Sequence, residues 1–278
     1  CGMDERIYLA RAALHMWEEP CISGTKGSGA VFFSGCGLRC CFCQNHDIAI
    51  GSRGRAVSVE RLGEIFLELK EKGAANINLV TGAHYVPQII EALDMARRKG
   101  LDIPVVYNYS GYEKTETLKL LDGYVDIYLP DLKYLDPELA QKFSYAPDYV
   151  QAAKAAIGEM VRQTGKCEFG EDGYIRKGTI VRHLILPGHT GNSIKALRYL
   201  HETYGEDIYI SIMNQYTPVR KFVEFKELNR KVTKREYEKV LDAAVDMGIQ
   251  NGFIQEGETA SESFIPDFDY EGVEKNTP

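Results

Sequence analysis

Three thiols stand at the spacing C-x3-C-x2-C in the run Ser34-Gly35-Cys36-Gly37-Leu38-Arg39-Cys40-Cys41-Phe42-Cys43-Gln44-Asn45. Thiolates this close in sequence can converge on one soft metal centre, and iron in an iron-sulfur cluster is a favoured occupant of such sites. A cuboidal 4Fe-4S cluster held by Cys36, Cys40 and Cys43 leaves one iron without a protein ligand. A purely electron-carrying cluster would normally fill that corner with a fourth cysteine, whereas an open iron can be chelated by the amino and carboxylate groups of S-adenosylmethionine (SAM). Zinc is the alternative occupant, since a structural zinc knot needs four ligands and would recruit Cys41 or His46. The odd total of seven cysteines, four of them crowded into this loop, argues against a disulfide framework.

Phe42 completes the pattern C-x3-C-x-aromatic-C, and with it the chain resembles the radical SAM superfamily. The stretches Gly29-Ala-Val-Phe-Phe-Ser-Gly-Cys36, Asn78-Leu-Val-Thr-Gly-Ala-His84-Tyr-Val-Pro87 and Val125-Asp-Ile-Tyr-Leu-Pro-Asp131-Leu-Lys133 are similar to the glycyl-radical-enzyme activating branch, the proteins that resemble pyruvate formate-lyase activating enzyme. The resemblance implies an α/β fold, a partial (β/α)6 TIM-like barrel with the cluster loop after its first strand. It also implies a 4Fe-4S cluster and SAM as cofactors, with reductive cleavage of SAM to methionine and a 5′-deoxyadenosyl radical that abstracts a substrate hydrogen. The partners it implies are a protein or peptide substrate, foremost a glycyl radical enzyme, and an electron donor such as flavodoxin or ferredoxin.

Residue by residue, the resemblance places Phe42, Thr81, Gly82, Asn108, Ser110, Asp131, Lys133 and Arg182 around SAM, with Cys36, Cys40 and Cys43 on the metal. Where relatives end the second strand in Gly-Gly-Glu, this chain has Thr81-Gly82-Ala83-His84, leaving backbone carbonyls near Thr81 for the SAM amino group. Asn108-Tyr109-Ser110-Gly111 stands for the relatives' Asp-Thr-Asn-Gly, and Asp131-Leu132-Lys133 for their Asp-x-Lys. Asn in place of Asp weakens a cation site there by one charge. Arg182 resembles a late-strand arginine whose planar guanidinium grips a carboxylate or the ribose hydroxyls. Plainer readings stand beside these. Asp131 and Lys133, two apart on an extended run, share one side and could form a mere ion pair, and Arg182 could be an ordinary strand-end residue.

The elements that must position these residues follow from periodicity. Apolar runs at Ala30 to Ser34, Ile77 to Thr81, Pro104 to Asn108, Val125 to Pro130, Ile180 to Leu186 and Ile208 to Met213 read as strands, with Gly252 to Gln255 as a closing one. Helical patterns at Val59 to Lys72, Val86 to Lys99, Thr115 to Leu121, Pro147 to Thr164, Ser193 to Tyr204 and Lys234 to Met247 alternate with them, as repeated βα units do. Ser58 is a cap, Thr233 with Glu236 forms a capping box, and Asp136-Pro137 opens a short helix. The strands' near-continuous apolar character suits a sheet covered on both faces. This predicts residues 1–28 as an N-terminal extension with Gly24 to Gly29 as a flexible lead-in, residues 29–256 as the barrel, and residues 257–278 as a loose, acidic tail.

Composition bounds the rest. A chain of 278 residues with 44% hydrophobic and 26% charged residues is an ordinary globular one, large enough for a single barrel. The net charge of -7 argues against nucleic acid as a partner, and the lack of a long apolar run argues against a membrane span, so the expected location is cytoplasmic. Cys41 is expected to be a spare thiol, and Cys1-Gly2 at the start suggests an upstream segment. His84 and His189 follow strands at the expected mouth and are candidates for proton handling or substrate contact, whereas His15, His183 and His201 read as structural. The competing functions are radical modification of another peptide or a small molecule, a non-catalytic metal-binding or electron-transfer protein, and a metal-free barrel enzyme with Lys133 as a Schiff-base amine.

Overall fold

A computed structural model describes residues 1–255 and 266–275. Its sheet is built from β1 (Ile7–His15), β2 (Ser28–Phe33), β3 (Arg55–Val57), β4 (Ile77–Val80), β5 (Val105–Tyr109), β6 (Ile127–Pro130), β7 (Glu168–Phe169), β8 (Ile175–Leu184), β9 (Tyr209–Met213) and β10 (Gly252–Ile254). The helices are α1 (Pro20–Ser23), α2 (His46–Ala49), α3 (Val59–Glu71), α4 (Val86–Arg98), α5 (Thr115–Leu120), α6 (Pro137–Ser144), α7 (Tyr149–Thr164), α8 (Thr190–Tyr204) and α9 (Lys234–Asp246). The strand order is β10-β9-β8-β6-β5-β4-β2-β1-β3, and the run from β2 to β10 is parallel throughout. This is the unclosed, barrel-like α/β fold expected from the alternation of strands and helices.

The strands form where apolar side chains can be buried on both sides. All residues of β2, β4, β5 and β6 are buried. Val105 and Tyr107 of β5 pack outward with α3 and α4 side chains such as Phe66 and Ile89, whereas Val106 packs inward with Ile127, Leu129 and Ile180. The start of β2 needs glycine, because a Cβ on Gly29 would lie 2.7 Å from the Asn76 carbonyl oxygen. The expected caps are present: Ser58 Oγ accepts from Arg61 N, Asp136 from Glu138 N, and Thr233 with Glu236 closes a full capping box. No described helix is long and apolar enough to cross a membrane.

Residues before the barrel differ from the expected extension. β1 runs antiparallel to β2, with His15 opposite Ser28 at the N-terminal end of the parallel strands. The chain then turns into the barrel, where Cys21 and Ile22 pack with Val106, Ile127, Leu129, Ile175 and Ile180. Burying Ile22 completely contributes about 1.5–3 kcal/mol and makes α1 a floor plug. The expected flexible glycine lead-in is pinned: the Tyr174 hydroxyl accepts from Thr25 N at 3.0 Å and packs against Gly24.

The acidic end of the chain is likewise docked where it is described, contrary to the expected loose tail. Tyr270 N donates to Ala10 O at 3.0 Å and Ala12 N to Glu271 O at 2.8 Å, so the segment occupies the free edge of β1. Arg11 pairs with Asp269 and Glu271, Arg55 with Glu274, and Val273 is buried. Side chains of opposite charge on β1, β3 and α3 are the reason, and composition alone does not reveal them. The part of the expected tail at residues 257–265 and 276–278 lies outside the described residues.

One carboxyl in the outer layer is poised to make folding pH-dependent. Glu113, after β5, accepts from the Tyr107 hydroxyl at 2.5 Å, and burial pushes its pKa from 4.5 up to about 7. The folded state thus keeps a proton that the unfolded chain releases. The stability tied to this proton is complete below pH 4.5 and is lost as pH rises through 7, in total roughly 3 kcal/mol. Denaturant titrations across that range should show Glu113→Gln with a shallower loss than wild type; parallel losses would refute the assignment.

Candidate functional site

The loop after β2 folds as a set of backbone bonds that fix the thiols from several directions. Gly35 N donates to Ile48 O at 2.7 Å, Cys41 N to Phe143 O at 2.8 Å, and Gly37 N to the Tyr109 hydroxyl at 3.3 Å. Arg39 straps the loop from outside, donating to the carbonyls of Cys36 and Ala49 at 3.3 and 3.2 Å. Phe42 is buried with its ring edge-on to Phe143 and Tyr216, so the residue before the last thiol is an apolar wedge.

Cys36, Cys40 and Cys43 line one cavity of about 250 Å³, and Cys41 does not. Cys41 turns to the other side of the loop, towards Arg220 in a neighbouring cavity. Burial raises the pKa of all three cavity thiols, that of Cys43 to about 12, while the Lys133 ammonium pulls in the opposite direction. In so dry a wall the thiols keep their protons until a metal displaces them. Ser144 Oγ donates to Cys40 Sγ at 3.0 Å and is itself paired with the Tyr134 hydroxyl at 2.7 Å. Among the described residues no three His, Cys, Asp or Glu side chains converge as ligands of a single ion do. In a cluster each thiolate takes a different iron, so the three thiols need not converge on a single point. The donor set fits a 4Fe-4S group: three thiols on one wall, a cation beside them and apolar Leu38, Phe42 and Tyr216 around them.

Into the same cavity the strand ends deliver a charged network. Asp131, just past β6, accepts from Lys133 Nζ at 2.7 Å and from Arg182 Nε at 3.0 Å. Arg182 also donates to Asn108 Oδ1 at 2.5 Å and to Glu18 Oε2 at 3.2 Å. Glu18 Oε1 in turn accepts from Asn78 at 3.0 Å and Asn108 at 3.1 Å. Burial alone would raise the Asp131 carboxyl, but Lys133 and Arg182 outweigh it and hold the pKa low. Burial would lower Lys133 and Arg182, and the facing carboxylates, Asp131 first, keep both raised and charged. Next to them burial pushes Glu19 up, towards its neutral form, against the opposing pull of Arg182. Tyr149 of α7 locks two loops, its hydroxyl accepting from Lys133 N at 2.9 Å and facing the carbonyls of Ser110 and Asp131 at 2.9 and 2.8 Å.

Of the residues singled out from the sequence, Phe42, Thr81, Asn108 and Ser110 line the cavity, as do Asp131, Lys133 and Arg182. Gly82 does not. Its Cα packs against Ile89 and Phe33, where a Cβ would lie 2.7 Å from Ile89 Cδ1. His84 is turned away too, its Nε2 2.8 Å from the Ser34 carbonyl, and burial lowers its pKa. His189 lies against Phe143 and 3.6 Å from Glu227, outside the cavity. Sequence reasoning missed Glu18, Tyr149 and Ser144. The only signal for Glu18 was an acidic pair directly before Pro20, which reads as the start of a helix.

Comparison with known proteins adds the following. The family model described as the Radical SAM superfamily matches residues 30–200. An uncharacterized protein of Methanocaldococcus jannaschii is 27% identical over 251 residues, covering 88% of this chain and 68% of its own. A pyruvate formate-lyase-activating enzyme of Clostridium pasteurianum is 29% identical over 116 residues, 39% of this chain and 46% of that protein. Among solved structures, SuiB of Streptococcus suis bound to precursor peptide SuiA superposes with a TM-score of 0.53 at 14% identity, over 81% of this chain and 47% of SuiB. The FeFe-hydrogenase maturase HydG of Carboxydothermus hydrogenoformans gives 0.53 at 14%, over 83% and 54%. The chain thus spans about half the length of these solved relatives, and at such identity they share its fold.

Removing the Tyr149 hydroxyl should loosen this site without emptying it. Tyr149→Phe leaves the Lys133 amide without its buried acceptor, and we expect a stability loss of about 1–3 kcal/mol in urea titration. An unchanged midpoint would show that the two loops are held by other contacts.

Proposed function

This chain belongs to the radical SAM superfamily, and we propose that it binds a 4Fe-4S cluster on Cys36, Cys40 and Cys43 and uses it to draw a hydrogen atom from a protein or peptide backbone. It is an enzyme with a 4Fe-4S cluster and SAM as its cofactors. The bound cofactors supply the radical chemistry, a one-electron reductive cleavage of SAM that yields the hydrogen-abstracting species. The observation that carries the assignment is the lining of one cavity by three thiols together with Asp131, Lys133 and Arg182.

The roles of the chain's own residues follow from that geometry. Arg182 keeps N–H groups beyond those it gives Asp131, Asn108 and Glu18, and Lys133 gives Asp131 one of its three. Both can therefore bind the carboxylate or hydroxyls of SAM while staying fixed. Thr81 lines the same cavity, and a backbone carbonyl at its turn would suit the amino group. Leu38, Phe42 and Tyr216 exclude water from the thiol wall.

For the target we favour a partner enzyme that receives a glycyl radical, with a flavodoxin- or ferredoxin-type protein as electron donor. The likeness to a pyruvate formate-lyase-activating enzyme supports this reading. A second reading, modification of another peptide, is supported by the likeness to SuiB with its precursor peptide.

Anaerobically reconstituted protein with dithionite and SAM should release methionine and 5′-deoxyadenosine. Cys40→Ala should abolish the release together with most of the iron, and Cys41→Ala should keep both within about two-fold, since that thiol faces away. Zinc in place of iron, with Cys41 as a ligand, would sink the cluster assignment. Added to candidate partners from neighbouring genes, the enzyme should generate a glycyl doublet in electron paramagnetic resonance; silence with every partner would favour the peptide reading.

A further inference from the structure

The segment between β1 and α1 carries a carboxylate into the centre of the site, although its place in the chain suggests no such role. Glu18 rises from the floor plug and meets residues of three strands at once: Asn78 of β4, Asn108 of β5 and Arg182 of β8. Its side chain is 9% exposed and those of Arg182 and Asp131 14%, so these charges act on one another with little screening by water. One oxygen accepts two amide N–H groups and the other the guanidinium, which leaves Glu18 little capacity to bind a ligand itself.

The charges at this end of the cavity balance only if Glu18 is counted. Lys133 and Arg182 contribute two positive charges and Asp131 one negative; Glu18 supplies the second negative. Glu19 does not supply it, because burial favours its neutral form. SAM carries one net positive charge, its sulfonium adding to a zwitterionic amino acid. A floor with one unmatched cation would repel it; a balanced floor leaves Arg182 able to grip the carboxylate without that cost.

We propose that Glu18 is a positioning residue of the SAM site, which fixes Arg182 and Asn108 and neutralises the cationic floor so that a net-positive cofactor can bind. This rests on the cofactor site proposed above. The floor plug is then a part of the cofactor machinery, and its Glu18-Glu19-Pro20 turn sets the charge that the cavity presents.

Two substitutions separate charge from packing. Glu18→Gln keeps shape and hydrogen-bonding capacity but removes the charge, whereas Glu18→Asp keeps the charge and removes a methylene. With iron-loaded protein, equilibrium dialysis should show Glu18→Gln weakening SAM about ten-fold or more, and Glu18→Asp staying within about three-fold of wild type. S-adenosylhomocysteine, which lacks the sulfonium charge, should lose less than about two-fold in Glu18→Gln. The change that SAM causes in the electron paramagnetic resonance spectrum of the reduced cluster should be displaced in Glu18→Gln and preserved in Glu18→Asp. The reverse order, with Gln tolerated and Asp not, would reduce Glu18 to a packing residue and overturn the proposal, as would equal losses for the two ligands. Should Glu18→Gln not fold alone, the pair Glu18→Gln/Arg182→Gln is compared with Arg182→Gln: a loss of SAM affinity that S-adenosylhomocysteine does not share supports the charge role, and equal losses for the two ligands refute it. Wild-type protein that holds iron but does not bind SAM would overturn the cofactor site itself, an outcome distinct from a Glu18→Gln protein that binds as wild type does.

Discussion

The site depends on a buried guanidinium that must be surrounded. Arg182 projects from β8 into the barrel interior, where an unpaired charge is prohibitively costly, and removing one partner of such a pair typically costs about 3–5 kcal/mol. Its partners come from separate places in the chain: Asp131 after β6, Asn108 on β5 and Glu18 from the floor. Satisfying one side chain therefore fixes the relative positions of four segments. The parallel bridge between Asp131 and Arg182, with Leu132 N donating to Arg182 O at 2.8 Å, extends the same constraint into the backbone.

The thiol wall and the charged wall are coupled through Lys133. The ammonium is paired to Asp131 and also opposes the burial that raises the Cys36, Cys40 and Cys43 thiols. A cation beside thiols in a dry wall favours their deprotonated, metal-binding form. The loop itself gains little from its own sequence, being held by Phe143 and Ser144 from α6, Ile48 from α2 and Tyr109 from β5. The helix after β6 thus supports the thiol loop as well as forming part of the barrel's outer layer.

Much of this was legible because the signals were local. The parallel strands and the helices between them announce themselves through short apolar runs, 3.6-residue periodicity and caps such as Ser58 and Thr233. The thiols and Asp131-Leu132-Lys133 are local patterns too, and the fold brings them to one cavity. What escaped depends on distant partners. β1 has no strong alternation, and it becomes a strand because β2, β3 and the chain's acidic end each give it an edge. Glu18 is unremarkable until Arg182 lies 3.2 Å away, 164 positions later in sequence. At the end of β4 a turn in the chain separates two adjacent positions, Thr81 lining the cavity and Gly82 supporting it against Ile89 and Phe33.

That turn is itself under strain. Thr81 has φ of 65°, a left-handed conformation that a β-branched residue adopts only at a cost of order 1–3 kcal/mol. Two features hold it there: Thr81 N donates to Asn108 O at 2.9 Å, and Gly82 is seated against Phe33 and Ile89 with no room for a side chain. Asn108 is in turn tied through its side chain to Glu18 and Arg182, so the residue whose carbonyl holds the turn also belongs to the network around the guanidinium. A threonine at this point sacrifices stability at a turn that lines the cavity. The charged floor thereby fixes the arginine and, through Asn108, the strained turn that faces it.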